Sequence, residues 1–335
     1  MGSEKRDSYM DFLKGIAIIA VVVGHSISNV SKVDFLFQAI YSFHMPMLIF
    51  ISAYIEEECR EKYRGKEKSM LIRRMGGLLL PYLSWTVIYA AVFGQMADMG
   101  AAGFGRMLTG YEQNGLWFFP VLFGLKVMHF LYWTVGKRIA KHTLLTDMML
   151  CFALEAVVAV LAVLTRQPYL INMLSYAIPY FLAVLLVEHE SLRKLSGREC
   201  TCAGAVFIYG LMFPFFSFHD PHWTTQVIRI GMSLCVIVIC LKFQEKWREN
   251  AVSKIVCVYG QYSLGIYVLH VFFMDYKIYF SRIESTVTVS FLAVVAACVV
   301  VVVCILIVKL IRISLWWRLI LLGEKERFGM KGIRK

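Results

Sequence analysis

Long apolar stretches alternate with short polar ones along almost the whole chain, at roughly 12–30, 36–56, 76–95, 116–135, 145–165, 168–187, 202–218, 223–242, 254–275 and 288–311. A helix of about 20 apolar residues crosses the hydrocarbon of a bilayer and satisfies its own backbone where water cannot. The pattern therefore predicts an all-α, polytopic transmembrane helix bundle of about ten spans, forming a single domain over residues 1–335. Between the spans, the stretch at about 57–75 is a highly charged loop, led by Glu56-Glu57-Glu58 and followed by seven Lys and Arg residues up to Arg74. The stretch at about 96–115 is Gly-rich and weakly charged, suited to a lid or a re-entrant piece. After residue 312, Trp316 and Trp317 with scattered Lys and Arg predict an interfacial anchor helix. No internal repeat is visible.

Composition agrees with this pattern. The chain is 59% hydrophobic and 17% charged, with a mean hydropathy of +0.64, well away from soluble domains. The net charge of +12 first suggests nucleic acid, but its distribution argues against that. With the N-terminus inside, 28 of the 35 Lys and Arg residues fall in the tails, inner loops and inner helix ends. Lys32, Arg106, Arg166, Arg229, Lys277 and Arg282 fall on the opposite half, and Lys126 lies within the fourth span. That asymmetry predicts a multi-pass cell-membrane protein with both termini cytoplasmic. Its partners are the lipid bilayer and its anionic headgroups, and no nucleic acid. None of the nine cysteines falls in a predicted outer loop, so no disulfide framework is expected. Cys200-Thr201-Cys202 alone is too little for zinc, and no metal is implied. Lys5 and Arg6 before the first apolar run resemble a signal peptide, but Asp11 and Lys14 interrupt its start and no clean cleavage site follows.

Ionisable side chains inside spans are functional candidates, because burying them in hydrocarbon costs several kcal/mol unless partners or water offset it. Lys14 and His25 stand eleven residues apart on one face of the first helix, about 16 Å apart along its axis. Lys14 is thus near the cytoplasmic interface and His25 in the outer half. His44, within Phe43-His44-Met45-Pro46, enters the second span from outside. Arg229 lies about six residues into the eighth. His270 closes the run Gly260-Gln261-Tyr262-Ser263-Leu264-Gly265-Ile266-Tyr267-Val268-Leu269-His270 near the outer end of the ninth. Each histidine also has a plainer reading as a hydrogen-bonded packing residue. Four such groups at similar depth, from four spans, favour one shared polar cavity. Histidine suits general-base work there, since its ordinary pKa near 6.5 leaves neutral imidazole available. At the cytoplasmic rim Lys14, Arg73 and Arg74 are suited to phosphate, although Arg73 and Arg74 also read as ordinary positive-inside anchors.

At these residues the chain resembles the acyltransferase-3 family of integral membrane acyltransferases. Arg6-Asp7-Ser8-Tyr9-Met10-Asp11-Phe12-Leu13-Lys14-Gly15-Ile16, followed by Val23-Gly24-His25-Ser26, is similar to that family's first helix, with ten residues between a basic residue and a histidine. Phe43-His44-Met45-Pro46 with Phe50-Ile51-Ser52-Ala53-Tyr54 resembles its second. Arg73-Arg74 before Leu80-Pro81-Tyr82 resembles its third, and Leu116-Trp117-Phe118-Phe119 its fourth. Ser263-Leu264-Gly265-Ile266-Tyr267 with His270 resembles a late helix. Two positions depart from the pattern. Gly77 stands where an Arg-x-x-Arg pair would have its second arginine, and Ser52-Ala53-Tyr54 replaces Ser-Gly-Tyr.

The resemblance implies transfer of an acyl group, commonly acetyl from acetyl-CoA or another acyl-CoA as co-substrate, to a hydroxyl of a carbohydrate or other cell-envelope acceptor. The resemblance assigns Lys14 and His25 to catalysis or donor handling; read from the residues themselves, His25 is the base on the acceptor hydroxyl, and the expected catalytic set is His25, Lys14, His44 and His270. Lys14, Arg73 and Arg74 are expected at the donor, and Arg229, Trp117 and Tyr267 at the substrate. A proton-coupled small-molecule transporter, with a histidine and Arg229 carrying the coupling, is the alternative. A structural scaffold is the third reading.

Overall fold

A computed structural model describes residues 8–28, 30, 33–60, 65–93, 115–139, 143–189, 199–219 and 223–324. Among these residues the regular structure is helical, without strands. The chain runs α1 (Ser8–Ile27), α2 (Asp34–Tyr41), α3 (His44–Glu58), α4 (Glu67–Val92), α5 (Phe118–Ile139), α6 (Leu144–Thr165), α7 (Pro168–Glu188), α8 (Glu199–Met212), α9 (Trp223–Trp247), α10 (Ala251–Gln261), α11 (Ser263–Leu269), α12 (Lys277–Phe280), α13 (Thr286–Ile311) and α14 (Leu315–Leu322). Among the described residues, eight helices are long and apolar enough to cross a membrane, with α2 and α3 together counted as one. A ninth crossing is made if α10 and the segment Ser263–Phe273, bent by 67° at Tyr262, form one span.

All ten apolar stretches thus lie on helices, with one shortfall. The seventh, Cys202–Phe215, rises only about 21 Å at 1.5 Å per residue, against roughly 30 Å of hydrocarbon. The chain at Pro214 leaves the α-helix in a 3-10 turn, Phe213–Phe215. The Gly-rich stretch at 96–115 lies outside the described residues except for Gly115, and residues 61–64 of the charged loop also lie outside them.

Local chemistry sets several boundaries. Thr143 and Thr146 cap α6 reciprocally, Asn250 accepts from the Val252 N–H at 2.9 Å to start α10, and Ser285 accepts from the Thr288 N–H to start α13. Pro81 and Pro179 lie inside α4 and α7, as membrane helices tolerate when neighbours re-satisfy the freed groups.

Position in the bundle follows from side-chain size and polarity. α1 is 78% buried over its apolar window and α6 only 17%, so α1 is central and α6 faces lipid. Small residues let the centre close. A Cβ on Gly15 or Gly260 would collide with the backbone of the facing helix, so α1 and α10 meet backbone to backbone. The Sγ of Cys257 and the amide of Gln244 both reach the Ser8 carbonyl, at 3.5 and 2.9 Å. At the other end Ser26 meets Tyr276, oxygen to oxygen, at 2.6 Å. α11 therefore climbs beside α1 from Lys14 towards His25. The anchor expected after 312 is α14, with Trp316 and Trp317 exposed while Leu321 and Leu322 pack inward.

Candidate active site

Seven parts of the fold converge at the end of α1 that carries His25. They enclose a cavity of about 340 Å³. α1 contributes Val21 and His25, and the α2–α3 corner contributes Tyr41, His44 and Met45. Gly115 and Trp117, just before α5, form one wall, with Asn172 and Tyr176 on the first turns of α7 beside them. Phe218, Arg229 of α9 and Tyr267 of α11 complete it.

The histidines are held differently. His44 is buried, and its Nδ1 lies 2.8 Å from the Ile40 carbonyl. A carbonyl only accepts, so the proton sits on Nδ1 and Nε2 is left as an acceptor. His270 is held the same way, with Nδ1 at 2.7 and 3.1 Å from the carbonyls of Tyr267 and Ile266. Its ring does not line the cavity but packs against His25, centroids 5.1 Å apart. His25 alone of the three is part-exposed, and it borders the open space. The helix period brought His25, His44 and Arg229 together as expected, while His270 stands behind them.

Arg229 is buried, and its guanidinium donates to the Tyr176 hydroxyl at 2.6 Å and to Gln226 at 3.5 Å. The Tyr176 ring stacks on Trp117, centroids 5.2 Å apart and planes 24° off parallel. Tyr41, Asn172 and Tyr176 were not singled out from the sequence. Asn172 and Tyr176 are one turn apart in an otherwise apolar run, which is the available signal for a polar helix face.

A second, smaller cavity of about 140 Å³ lies further down α1. Lys14 and Ile18 line it, with Leu48 and Ser52 of α3, Leu78 of α4, Phe118 and Leu122 of α5, and Ser263, Leu264 and Tyr267. Tyr267 borders both spaces. Its hydroxyl donates to the Gly115 carbonyl at 2.7 Å, and its ring packs against Phe118 and Phe119. Lys14 and His25 thus line two cavities that have Tyr267 in common.

Neither arginine of the Arg73-Arg74 pair lines the Lys14 chamber. Arg73 is exposed, and Arg74 reaches Glu56 at 3.4 Å. Glu56 and Glu57, read from sequence as the lead into a solvated loop, are instead buried at 2% and 4% exposure. Their counter-charges come from α5 and from the end of α3. Glu56 pairs with buried Lys126, and Glu57 accepts from Trp133 at 3.2 Å, meets His129 at 2.9 Å and pairs with Arg60. Carboxylates in hydrocarbon need this number of partners. At the same end of α7, Asp147, Glu188 and His189 bring ligand atoms within 4.8 Å of one another. There His189 faces Asp147 at 3.3 Å and Tyr132 donates to Glu188 at 3.0 Å. This group is at the opposite end of α7 from Asn172 and Tyr176.

A helical membrane bundle with a histidine-bearing polar cavity defines an integral membrane protein built around a buried reaction or binding site. Residues 7–310 match the profile of the acyltransferase domain, and the chain belongs to that acyltransferase-3 family. It is therefore a membrane acyltransferase. It is 29% identical over 309 residues to the nodulation protein NolL of Sinorhizobium fredii strain NBRC 101917 / NGR234, covering 80% of this chain and 78% of that protein. It is 32% identical over 94 residues to NolL of Mesorhizobium japonicum, covering 26% of this chain and 25% of the relative. No solved structure matches it.

Proposed function

We propose that this acyltransferase moves an acetyl group from acetyl-CoA, or a related acyl-CoA, to a hydroxyl of a carbohydrate or other cell-envelope acceptor. The reading places the protein in the cell membrane with both termini cytoplasmic, the donor reaching the Lys14 chamber from inside and the acceptor held beside His25. The pair of chambers carries it: a cationic one and a histidine-bearing one, sharing the single wall Tyr267.

His25 is the base. Its neutral imidazole takes the proton of the acceptor hydroxyl as the oxygen attacks the thioester carbonyl. The C–S bond then breaks, and the imidazolium returns the proton to the departing thiolate, so an ester and free CoA result. His44 and His270, each with its proton directed at a backbone carbonyl, keep the surroundings of His25 neutral. Lys14, with Arg73 at the rim, faces the donor as a point charge for phosphate.

The test is acyl transfer by purified protein in nanodiscs, using donor labelled in the acyl group. Wild type forms labelled product, and well-folded His25→Ala protein forms none. Near-normal product from His25→Ala removes the base assignment. Movement of sugar across a vesicle membrane without chemical change would replace the reading with transport.

A further inference from the structure

Among the described residues, no carboxylate meets the charge of Arg229. Its side chain is 8% exposed, and among the described residues its partners are the Tyr176 hydroxyl and the Gln226 amide, both neutral. The Nε hydrogen has no acceptor. Among the described residues, no Asp or Glu lines the cavity that Arg229 borders. Elsewhere in the bundle the opposite holds, since buried Lys126 and Arg74 share Glu56. Guanidinium stays protonated at any physiological pH and presents a planar fork that fits an oxyanion group in two places. A buried, unmatched cation of this kind is costly when the cavity is empty of ligand. The cost is recovered when a ligand brings the missing charge.

Beside it, Trp117 lies stacked on Tyr176 within the same lining. That puts an indole ring in the same cavity lining as the cation, suited to the C–H face of a sugar ring. We infer that the acceptor is an anionic sugar, whose carboxylate or phosphate is read by Arg229 while its ring lies against Trp117. This rests on the acyltransfer reading above and adds the class of acceptor to it. Arg229 then selects the acceptor, and His25 acts on its hydroxyl.

The experiment uses the full-length protein in nanodiscs with three probes: methyl glucuronoside, glucose 6-phosphate and neutral methyl glucoside. Binding is read by thermal shift, and transfer by labelled product. Wild type is expected to be stabilised by at least one anionic probe and to use it with kcat/KM roughly 30-fold or more above the neutral glycoside, the scale of a buried charged contact. The carboxylate and phosphate arms separate the two sources of charge. Arg229→Gln is expected to lose that preference, the ratio of kcat/KM between anionic and neutral probes falling towards one through a raised KM for the anionic probe. Arg229→Lys retains part of the preference and controls for folding. Equal stabilisation by neutral and anionic probes overturns the inference. So does an Arg229→Gln loss that falls equally on all probes through kcat, which marks a role at the reacting carbonyl or in the fold. Binding of the anionic probe without any transfer to any probe would keep Arg229 as an anion-reading site but overturn its ligand as the acceptor. Transfer to the neutral glycoside alone would keep the acyltransfer reading and overturn the anionic acceptor, so the two fail separately.

Discussion

The Tyr267 hydroxyl donates to the Gly115 carbonyl at 2.7 Å, and this bond holds the one ring that borders both the Lys14 and the His25 chambers. Under the proposed reading, an acyl group passing from one space to the other passes beside that ring. Tyr267→Phe keeps the wall and loses its latch, so transfer is expected to fall by about tenfold, the scale of one neutral hydrogen bond. Tyr267→Ala removes the wall, and water then reaches the donor. Its expected signature is release of free CoA without matching ester product, measured by a thiol assay against labelled product. Tight coupling in Tyr267→Ala would show that the ring separates nothing.

Lys14 tests the donor side. Lys14→Ala is expected to raise KM for acyl-CoA by at least tenfold and leave KM for the acceptor within about threefold, since the chamber it lines is not the His25 cavity. Lys14→Arg should restore part of the donor affinity, because both cations reach a phosphate though with different geometry. Steady-state kinetics with each substrate varied in turn decides it. An effect on the acceptor alone would move Lys14 out of the donor site.

The buried pair of Glu56 and Lys126 makes a stability prediction. Removing one partner leaves the other charge stranded, at a cost of about 3–5 kcal/mol. Lys126→Met should therefore sharply lower the melting temperature in detergent. The double variant Glu56→Gln with Lys126→Met should recover much of the loss, with Arg74 released to the interface. A double variant as unstable as the single one would mean that the pair is held for geometry beyond its charge.

The same pair marks the limit of what the chain discloses before folding. The spans were legible because a long apolar run has few alternatives in a bilayer. His25, His44 and Arg229 were legible because a titratable group in such a run is conspicuous, and one helix period fixes its depth. Glu56 and Glu57 were not, because they adjoin the charged run 60–74 and share its composition. Their partners Lys126 and His129 lie 70 and 72 positions further on, so only tertiary contact distinguishes them from a solvated loop. The break at Tyr262 was equally hidden, since both halves are apolar enough to read as one span. Tyr41, Asn172 and Tyr176 are uncharged, and the one-turn spacing of the last two is the only local hint that separates them from other polar residues in spans.

Gly77, where the family resemblance has a second arginine, packs on the end of α14. A Cβ placed on Gly77 would stand 3.4 Å from the Gly323 carbonyl oxygen, an ordinary contact. The reverse does not hold. Gly323 has φ +65°, and a Cβ there would collide with the Gly77 carbonyl. We predict that Gly77→Ala is nearly neutral and that Gly323→Ala destabilises by more than the roughly 1–2 kcal/mol of the left-handed conformation alone. Gly77→Arg should displace α14, where Trp85 donates to the Leu321 carbonyl at 2.8 Å, and should expose the segment after 312 to limited proteolysis. Protease resistance equal to wild type would show that α14 is not seated by that glycine contact.

The two-sided mechanism stands or falls on orientation. Ser8 lies at one end of α1 beside Cys257 and Gln244, and Tyr276 at the other beside Ser26. Gly65, between α3 and α4, is exposed with nothing within 4 Å of an added Cβ, and Glu284, just before α13, is exposed as well. The seven Lys and Arg residues from Arg60 to Arg74 should hold the first loop in the cytoplasm. In a background freed of the nine native cysteines, Glu284→Cys should react with an impermeant thiol reagent on intact cells. Gly65→Cys should react only after permeabilisation. Labelling of position 65 from outside would invert the bundle and turn His25, His44 and Arg229 towards the cytoplasm. Donor and acceptor would then both have to come from the cytosol, and the two cavities that share Tyr267 would serve substrates arriving from one side.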